Sequence, residues 1–110
     1  MSVLQKQNLM REIKRIIKEI VTKYKPERII LFGSAAQGNL SEDSDVDFLI
    51  IKRETPTIGR DRARELRRLI KKNLPTDFLI YRPEEFEERI RLGDPFVLAI
   101  LKEGKVVYGR

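Results

Sequence analysis

Apolar residues recur every three or four positions through the first part of the chain. This spacing predicts an amphipathic helix over residues 3–24, with mainly basic side chains on its opposite side. Ser2 is suited to cap the first turn, and Pro26 ends the helical region. The apolar positions of this helix are Leu9, Ile13, Ile16, Ile17, Ile20, Val21 and Tyr24.

Short apolar runs and further helical segments alternate through the rest of the chain. Glycine and proline residues separate these segments and set their limits. Together they predict an α/β (α+β) fold in a single domain over residues 1–110. Strands are predicted at residues 29–32, 46–51, 76–81 and 105–108, a helical turn at 34–38, and helices at 59–73, 83–91 and 95–102.

The composition excludes several kinds of chemistry. The chain has no cysteine and no histidine, so disulfides, thiolate zinc sites and histidine catalysis are excluded, and any metal would need oxygen ligands. The net charge of +6 fits either a solvated basic surface or attraction to nucleotides, nucleic acid or an acidic protein. No apolar stretch approaches about 18 residues, which predicts a cytoplasmic protein with no membrane partner.

Two aspartates open the second predicted strand, opposite a glycine turn. The first strand stops at Gly33 and Ser34, and Asp45 and Asp47 follow after a polar loop. Side chains alternate along a strand, so both carboxylates are expected on one face of the sheet. Paired carboxylates opposite a glycine turn suit a divalent cation beside a phosphate.

A third acid opens the following strand. The segment 46–81 has a strand–helix–strand pattern, which makes the two strands parallel if they share a sheet. Parallel neighbours bring their starts together, so Asp77 is expected beside Asp45 and Asp47. Three carboxylates would then converge at the amino ends of the strands, whereas open α/β sheets usually place sites at the carboxyl ends. Such a cluster needs cations to offset its repulsion.

The sequence Gly33-Ser34, ten further residues and then Asp45-Val46-Asp47 resembles the signature of the nucleotidyltransferase superfamily related to DNA polymerase beta. The short chain resembles a minimal nucleotidyltransferase, a type that often occurs as the antitoxin partner of a HEPN-domain toxin. The resemblance implies the nucleotidyltransferase fold, with a small mixed sheet of about three to four strands flanked by helices. It also implies the site: Asp45, Asp47 and Asp77 as catalytic residues and ligands of one or two Mg²⁺ ions, and Gly33, Ser34 and Ser44 as nucleotide-binding residues.

The reaction implied by the resemblance is transfer of a nucleoside monophosphate, AMP from ATP or another nucleoside triphosphate, to an acceptor hydroxyl. The chain is too short for a separate acceptor-binding domain, so a partner is expected to present the acceptor, and the resemblance suggests a HEPN toxin silenced in this way. Two alternatives stay open. One is an antitoxin that acts by occlusion without catalysis. The other, less favoured for lack of an aromatic stacking platform, is a basic nucleic-acid binder.

One departure from the family pattern concerns phosphate binding. Many minimal nucleotidyltransferases carry arginine after Gly-Ser, whereas here the loop over residues 35–37 has no cation. Lys52, Arg53 or the basic helix 59–73 would have to supply the charge, although that helix could equally present a solvated face. The apolar run 96–101 is open to two interpretations as well, core or partner interface.

Overall fold

The computed structural model describes residues 2–41 and 45–110. A mixed four-stranded sheet has helices on both faces, which confirms the predicted fold class. The strands are β1 (Arg28–Phe32), β2 (Val46–Ile51), β3 (Thr76–Tyr81) and β4 (Lys105–Tyr108); the helices are α1 (Val3–Tyr24), α2 (Gly59–Leu69), α3 (Pro83–Arg91) and α4 (Pro95–Glu103), with a 3₁₀ turn over Gly33–Ala35.

The strands lie in the order β3-β2-β1-β4. β1 pairs antiparallel with both β2 and β4, and β2 pairs parallel with β3. The parallel pairing confirms the strand–helix–strand prediction, because α2 carries the chain back so that β3 can start at the same end as β2. In this register Val46 lies opposite Thr76, and Asp47 lies opposite Asp77.

The two faces of the sheet carry separate apolar clusters. The larger cluster packs beneath α1 and α2 and includes Val46, Phe48 and Ile50 from β2. The smaller cluster packs beneath α3 and α4 and includes Leu49 and Ile51. Since side chains alternate along β2, Asp47 lies on the face covered by α3 and α4.

Helix α1 has the predicted bounds because its ends carry strong local signals. The Ser2 hydroxyl accepts a hydrogen bond from the Gln5 amide at 3.1 Å, and the Gln5 side chain accepts one from the Ser2 amide at 2.8 Å. This reciprocal pair is a capping box. Lys25, with a φ of 55°, ends the helix just before Pro26. Among the described residues, no helix combines the length and apolar content needed to cross a membrane.

The helix predicted over residues 59–73 was too long, since α2 ends at Leu69. Side chains of α1 bind the backbone beyond it. Glu19 accepts from the Lys71 amide and Glu12 from the Asn73 amide, both at 3.0 Å. These bonds hold residues 70–73 in a non-helical connection to β3. The predicted turn at 34–38 begins one residue earlier, as the 3₁₀ turn Gly33–Ala35.

The apolar run 96–101 is partly buried in the core and partly exposed. Val97 and Ile100 are buried in the smaller cluster. Phe96, Leu98 and Leu101 are 52%, 42% and 39% exposed. One side of α4 is therefore core, and the remaining sides present apolar surface.

Candidate active site

Three aspartates lie where β2 and β3 begin. Asp47 and Asp77 are each the second residue of their strand and are direct partners in the parallel ladder. Adjacent strands lie about 4.8 Å apart, so the two side chains are neighbours on one face. Asp45 stands one residue before β2. Asp45 and Asp77 are exposed and Asp47 is half-buried, which leaves the group accessible from solvent.

The pKa of Asp47 is affected by the two other aspartates. Its pKa is raised, first because partial burial disfavours the charged carboxylate, then because of the negative charge of Asp77 and that of Asp45. Asp77 and Asp45 are thus both close enough to act on the Asp47 carboxylate. A cation bound between them would relieve both the repulsion and the cost of burying the Asp47 charge.

The donor chemistry of this group fits a hard divalent cation. All three side chains offer carboxylate oxygens, which Mg²⁺, Mn²⁺ and Ca²⁺ prefer. In the parts of the chain that the structure describes, however, no three acidic side chains are close enough to hold a metal ion as they stand. Like-charged carboxylates repel one another in the absence of a cation. The backbone register brings Asp45, Asp47 and Asp77 to one place, and their role as metal ligands stays a prediction.

Gly33 lies directly against the Asp47 carboxylate. Its φ is +73°, and a Cβ atom added there would overlap Asp47 Oδ2 and lie 3.3 Å from Cγ. Both the backbone conformation and the available space therefore require glycine. The 3₁₀ turn that follows is closed by hydrogen bonds from the Ala36 amide to Gly33 O and from the Asn39 amide to Ser34 O. The turn thus places Gly33 beside Asp47, and Ser34 is the next residue of the turn.

Ser44, predicted to bind nucleotide, lies outside the described residues. Phosphate binding by Gly33 and Ser34 stays a prediction.

The proposed use of Lys52 and Arg53 as phosphate-binding cations is wrong. Both follow the last residue of β2, at the opposite end from the aspartates. Lys52 Nζ lies 5.2 Å from the centroid of the Tyr24 ring, and Arg53 pairs with Glu27 at 3.6 Å. Six strand residues at about 3.3 Å each place these cations roughly 20 Å from the site.

Helix α2 does bring a cation near the start of β3. An Arg67 guanidinium nitrogen is 3.5 Å from the Thr76 carbonyl oxygen, and the guanidinium carbon is 5.5 Å from the centroid of the Phe78 ring. Arg67 therefore lies along the strand that carries Asp77. Of the sources of positive charge considered from the sequence, only the basic helix reaches this end of the sheet.

Phe96 is a neighbour of the site that sequence reasoning did not single out. Its ring meets that of Phe32 edge to face, with centroids 6.0 Å apart, and Phe32 is the β1 residue opposite Asp47. Residues so distant along the chain carry no local signal of their pairing. The only sequence feature was an aromatic residue after the Asp94-Pro95 helix start.

The fold and this site define a nucleotidyltransferase domain. Residues 13–108 match the family model described as "Nucleotidyltransferase domain". A candidate protein adenylyltransferase from Methanocaldococcus jannaschii is 31% identical, over 92% of this chain and 99% of its own length. Another from the same organism is 39% identical over 66% of this chain and 71% of its own. The chain belongs to the nucleotidyltransferase domain family and is a nucleotidyltransferase.

A solved structure has the same fold. The crystal structure of a candidate nucleotidyltransferase from Sulfolobus solfataricus superposes with a TM-score of 0.61 at 20% sequence identity. The alignment covers 98% of this chain and 86% of that chain. The arrangement of sheet and helices is therefore shared with a protein of distant sequence.

Proposed function

We propose that this protein is a magnesium-dependent enzyme that transfers AMP from ATP to a hydroxyl group on a partner protein. The observation that carries the proposal is the alignment of Asp47 with Asp77, with the Gly33 backbone against the Asp47 carboxylate. The likeness to candidate protein adenylyltransferases supports adenylyl as the transferred group and a protein as the acceptor.

The residues of the site would divide the work. Asp45 and Asp47 would hold a metal that also contacts the triphosphate, and Asp77 would join them in holding a second. Divalent ions at such a site neutralise phosphate charge and lower the pKa of the attacking hydroxyl. Gly33 lets the backbone approach the phosphates closely, and Ser34 offers them an amide and a hydroxyl.

The reaction is a single displacement at the α-phosphorus of ATP. The acceptor oxygen forms a bond to that phosphorus while its bond to the β-phosphate oxygen breaks. Pyrophosphate leaves with the electron pair of the broken bond, and the hydroxyl proton passes to solvent. The work of the protein in such a transfer is chiefly to position the groups and stabilise their charge.

The proposed acceptor is a cytoplasmic HEPN-domain toxin, which the protein would neutralise as an antitoxin by modifying a hydroxyl such as that of tyrosine. The resemblance of this chain to minimal nucleotidyltransferases supports this partner. The net charge of +6 also favours association with nucleotide and with an acidic protein surface.

Transfer of label from ATP tests this function. The protein is incubated with Mg²⁺, ATP labelled at the α-phosphate and the product of the neighbouring gene. Label is expected on that partner and is expected to be lost with Asp45→Asn or Asp77→Asn. Asp61→Asn is the matched control, since Asp61 lies on α2 in a loose pair with Arg64 at 3.7 Å.

Two results would contradict the proposed chemistry. Label that persists in Asp45→Asn and Asp77→Asn would show that these acids are not the catalytic group. A partner that binds and is neutralised without ever acquiring label would instead support an antitoxin that acts by occlusion.

A further inference from the structure

A small cleft adjoins the glycine turn on the face of the sheet that carries Asp47. Its volume is about 190 Å³. Phe32 is the partner of Asp47 in the β1–β2 ladder, so the floor of the cleft continues directly from the acids. The cleft is lined by Phe32, Gly33, Phe96, Ala99, Ile100, Glu103 and Gly104.

The aromatic wall of this cleft is held in place yet open. The edge-to-face contact with Phe32, at 6.0 Å and 88°, fixes the Phe96 ring, which is still 52% exposed. A positioned aromatic ring with a free surface is a platform on which a nucleobase can stack.

Glu103 is an acidic residue in the lining of the cleft. Glu103 lies in the last turn of α4, and its carboxylate can only accept hydrogen bonds when ionised. The backbone oxygen of Glu103 accepts a hydrogen bond from Gln37 Nε2 at 3.3 Å. This bond ties α4 to the loop that follows Ser34. The C-terminal end of α4 and the glycine turn thus lie side by side at the cleft.

We propose that this cleft is the nucleobase subsite of the nucleotide. Adenine would stack on Phe96 and donate its 6-amino hydrogen bond to Glu103, while the phosphates extend past Gly33 toward the aspartates. The assignment rests on the proposed function, because it places the base of the same ATP whose phosphates reach the acids. Stacking supplies affinity for any base, and the carboxylate favours a base that carries an amino group.

Binding of two probes separates the base from the phosphates. Titration calorimetry with Mg²⁺ compares ATP and inorganic tripolyphosphate. Phe96→Ala is expected to weaken ATP binding by about fivefold to 150-fold, since stacking on an aromatic ring is worth about 1–3 kcal/mol per base. Tripolyphosphate affinity is expected to stay unchanged. Ala99→Leu fills the cleft and should also weaken ATP binding without changing tripolyphosphate affinity.

Further measurements address recognition and folding. Glu103→Ala should remove a preference for ATP over purine riboside triphosphate, which lacks the 6-amino group. Leu98→Ala is the matched control, because Leu98 is an exposed residue of the same helix outside the cleft. It is expected to bind both probes as the unaltered protein does. The thermal midpoint of each variant shows that α4 is still folded.

Three results would overturn the subsite. One is ATP binding of normal strength by both Phe96→Ala and Ala99→Leu. Another is an equal loss of ATP and tripolyphosphate, which would place these residues at the phosphates. The third is tripolyphosphate bound by the unaltered protein as tightly as ATP. If the unaltered protein binds neither probe, the proposed function itself fails, and the subsite with it.

Discussion

Asp47 and Asp77 lie directly opposite each other in the parallel β2–β3 pair, although the whole of α2 separates them along the chain. Partial burial of Asp47, and then the charge of Asp77, raise the Asp47 pKa. A raised pKa means that the folded state disfavours the ionised carboxylate. The ionised Asp47 carboxylate should therefore reduce the stability of the folded protein at neutral pH.

Asp47→Asn is expected to raise the thermal midpoint in the presence of EDTA at pH 7, because it removes a half-buried charge that repels its neighbours. Thermal unfolding followed by circular dichroism measures the change. Asp61→Asn serves as the control and should leave the midpoint nearly unchanged. A lower midpoint for Asp47→Asn would show that the carboxylate stabilises the free protein.

Gly33→Ala should abolish nucleotidyl transfer and also destabilise the protein. The change puts an alanine at a positive φ, which costs about 1–2 kcal/mol, and drives a methyl group into the Asp47 carboxylate. Gly93→Ala is the matched control, with a φ of +74° and no atom within 4 Å of the added Cβ. Both variants should unfold at lower urea concentration, but only Gly33→Ala should lose transfer of label from ATP. Equal activity in the two variants would mean that close contact at Gly33 is not needed.

Arg62→Met should be strongly destabilising. Arg62 is 4% exposed and bonds the Glu85 carboxylate at 2.6 and 3.0 Å and the Ile80 carbonyl at 3.0 Å. Its loss removes the Arg62 donor from the Ile80 carbonyl and leaves the Glu85 carboxylate with the hydrogen bond from the Arg82 amide. We expect about 2 kcal/mol less stability by urea denaturation. Arg64→Met, on an exposed side of the same helix, should change stability by less than about 0.5 kcal/mol. Similar small losses for both variants would refute this role of Arg62.

Acidic pH should weaken the ion pair between Arg62 and Glu85. The hydrogen bond from Arg62 is the main reason that the pKa of Glu85 is lowered from 4.5 to about 2. A lowered folded-state pKa gives stability that is present above the unfolded value and is lost as pH falls from about 4.5 toward 2. Glu85→Gln should therefore lose less stability between pH 5 and pH 3, as measured by urea midpoints. Glu19, whose pKa is also about 2, still makes the stability of this variant fall as the pH falls. If the stability of Glu85→Gln fell with pH as steeply as that of the unaltered protein, the Arg62–Glu85 contact would not contribute to this pH dependence.

Local signals explain most of what the sequence predicts. The bounds of β2 and β3 follow from short apolar runs between polar or proline breaks, and the parallel pairing follows from the crossover. The end of α2 could not be predicted, because Glu12 and Glu19 bind the backbone of residues 70–73 from a distant part of the chain. Lys52 was expected near the site because it is close to the aspartates in the sequence, but β2 separates it from them.

The candidate site also combines features that the sequence predicts with features that depend on distant packing. Alternation and strand order are enough to align Asp47 with Asp77, since both follow from backbone geometry. The contact of Phe96 with Phe32 depends on where α4 packs across the sheet, and no short-range pattern encodes that position. Sequence reasoning therefore predicts the acids of the site better than the surface around them.

The proposed function requires Asp45, Asp47 and Asp77 to act as one cation site for a nucleotide. Thermal unfolding with millimolar Mg²⁺ and ATP tests this most directly, because a ligand that binds only the folded state raises the midpoint. We predict a clear rise for the unaltered protein and for Asp61→Asn, and little or none for Asp77→Asn. No rise in the midpoint of the unaltered protein, or an equal rise in that of Asp77→Asn, would contradict this role of the three aspartates.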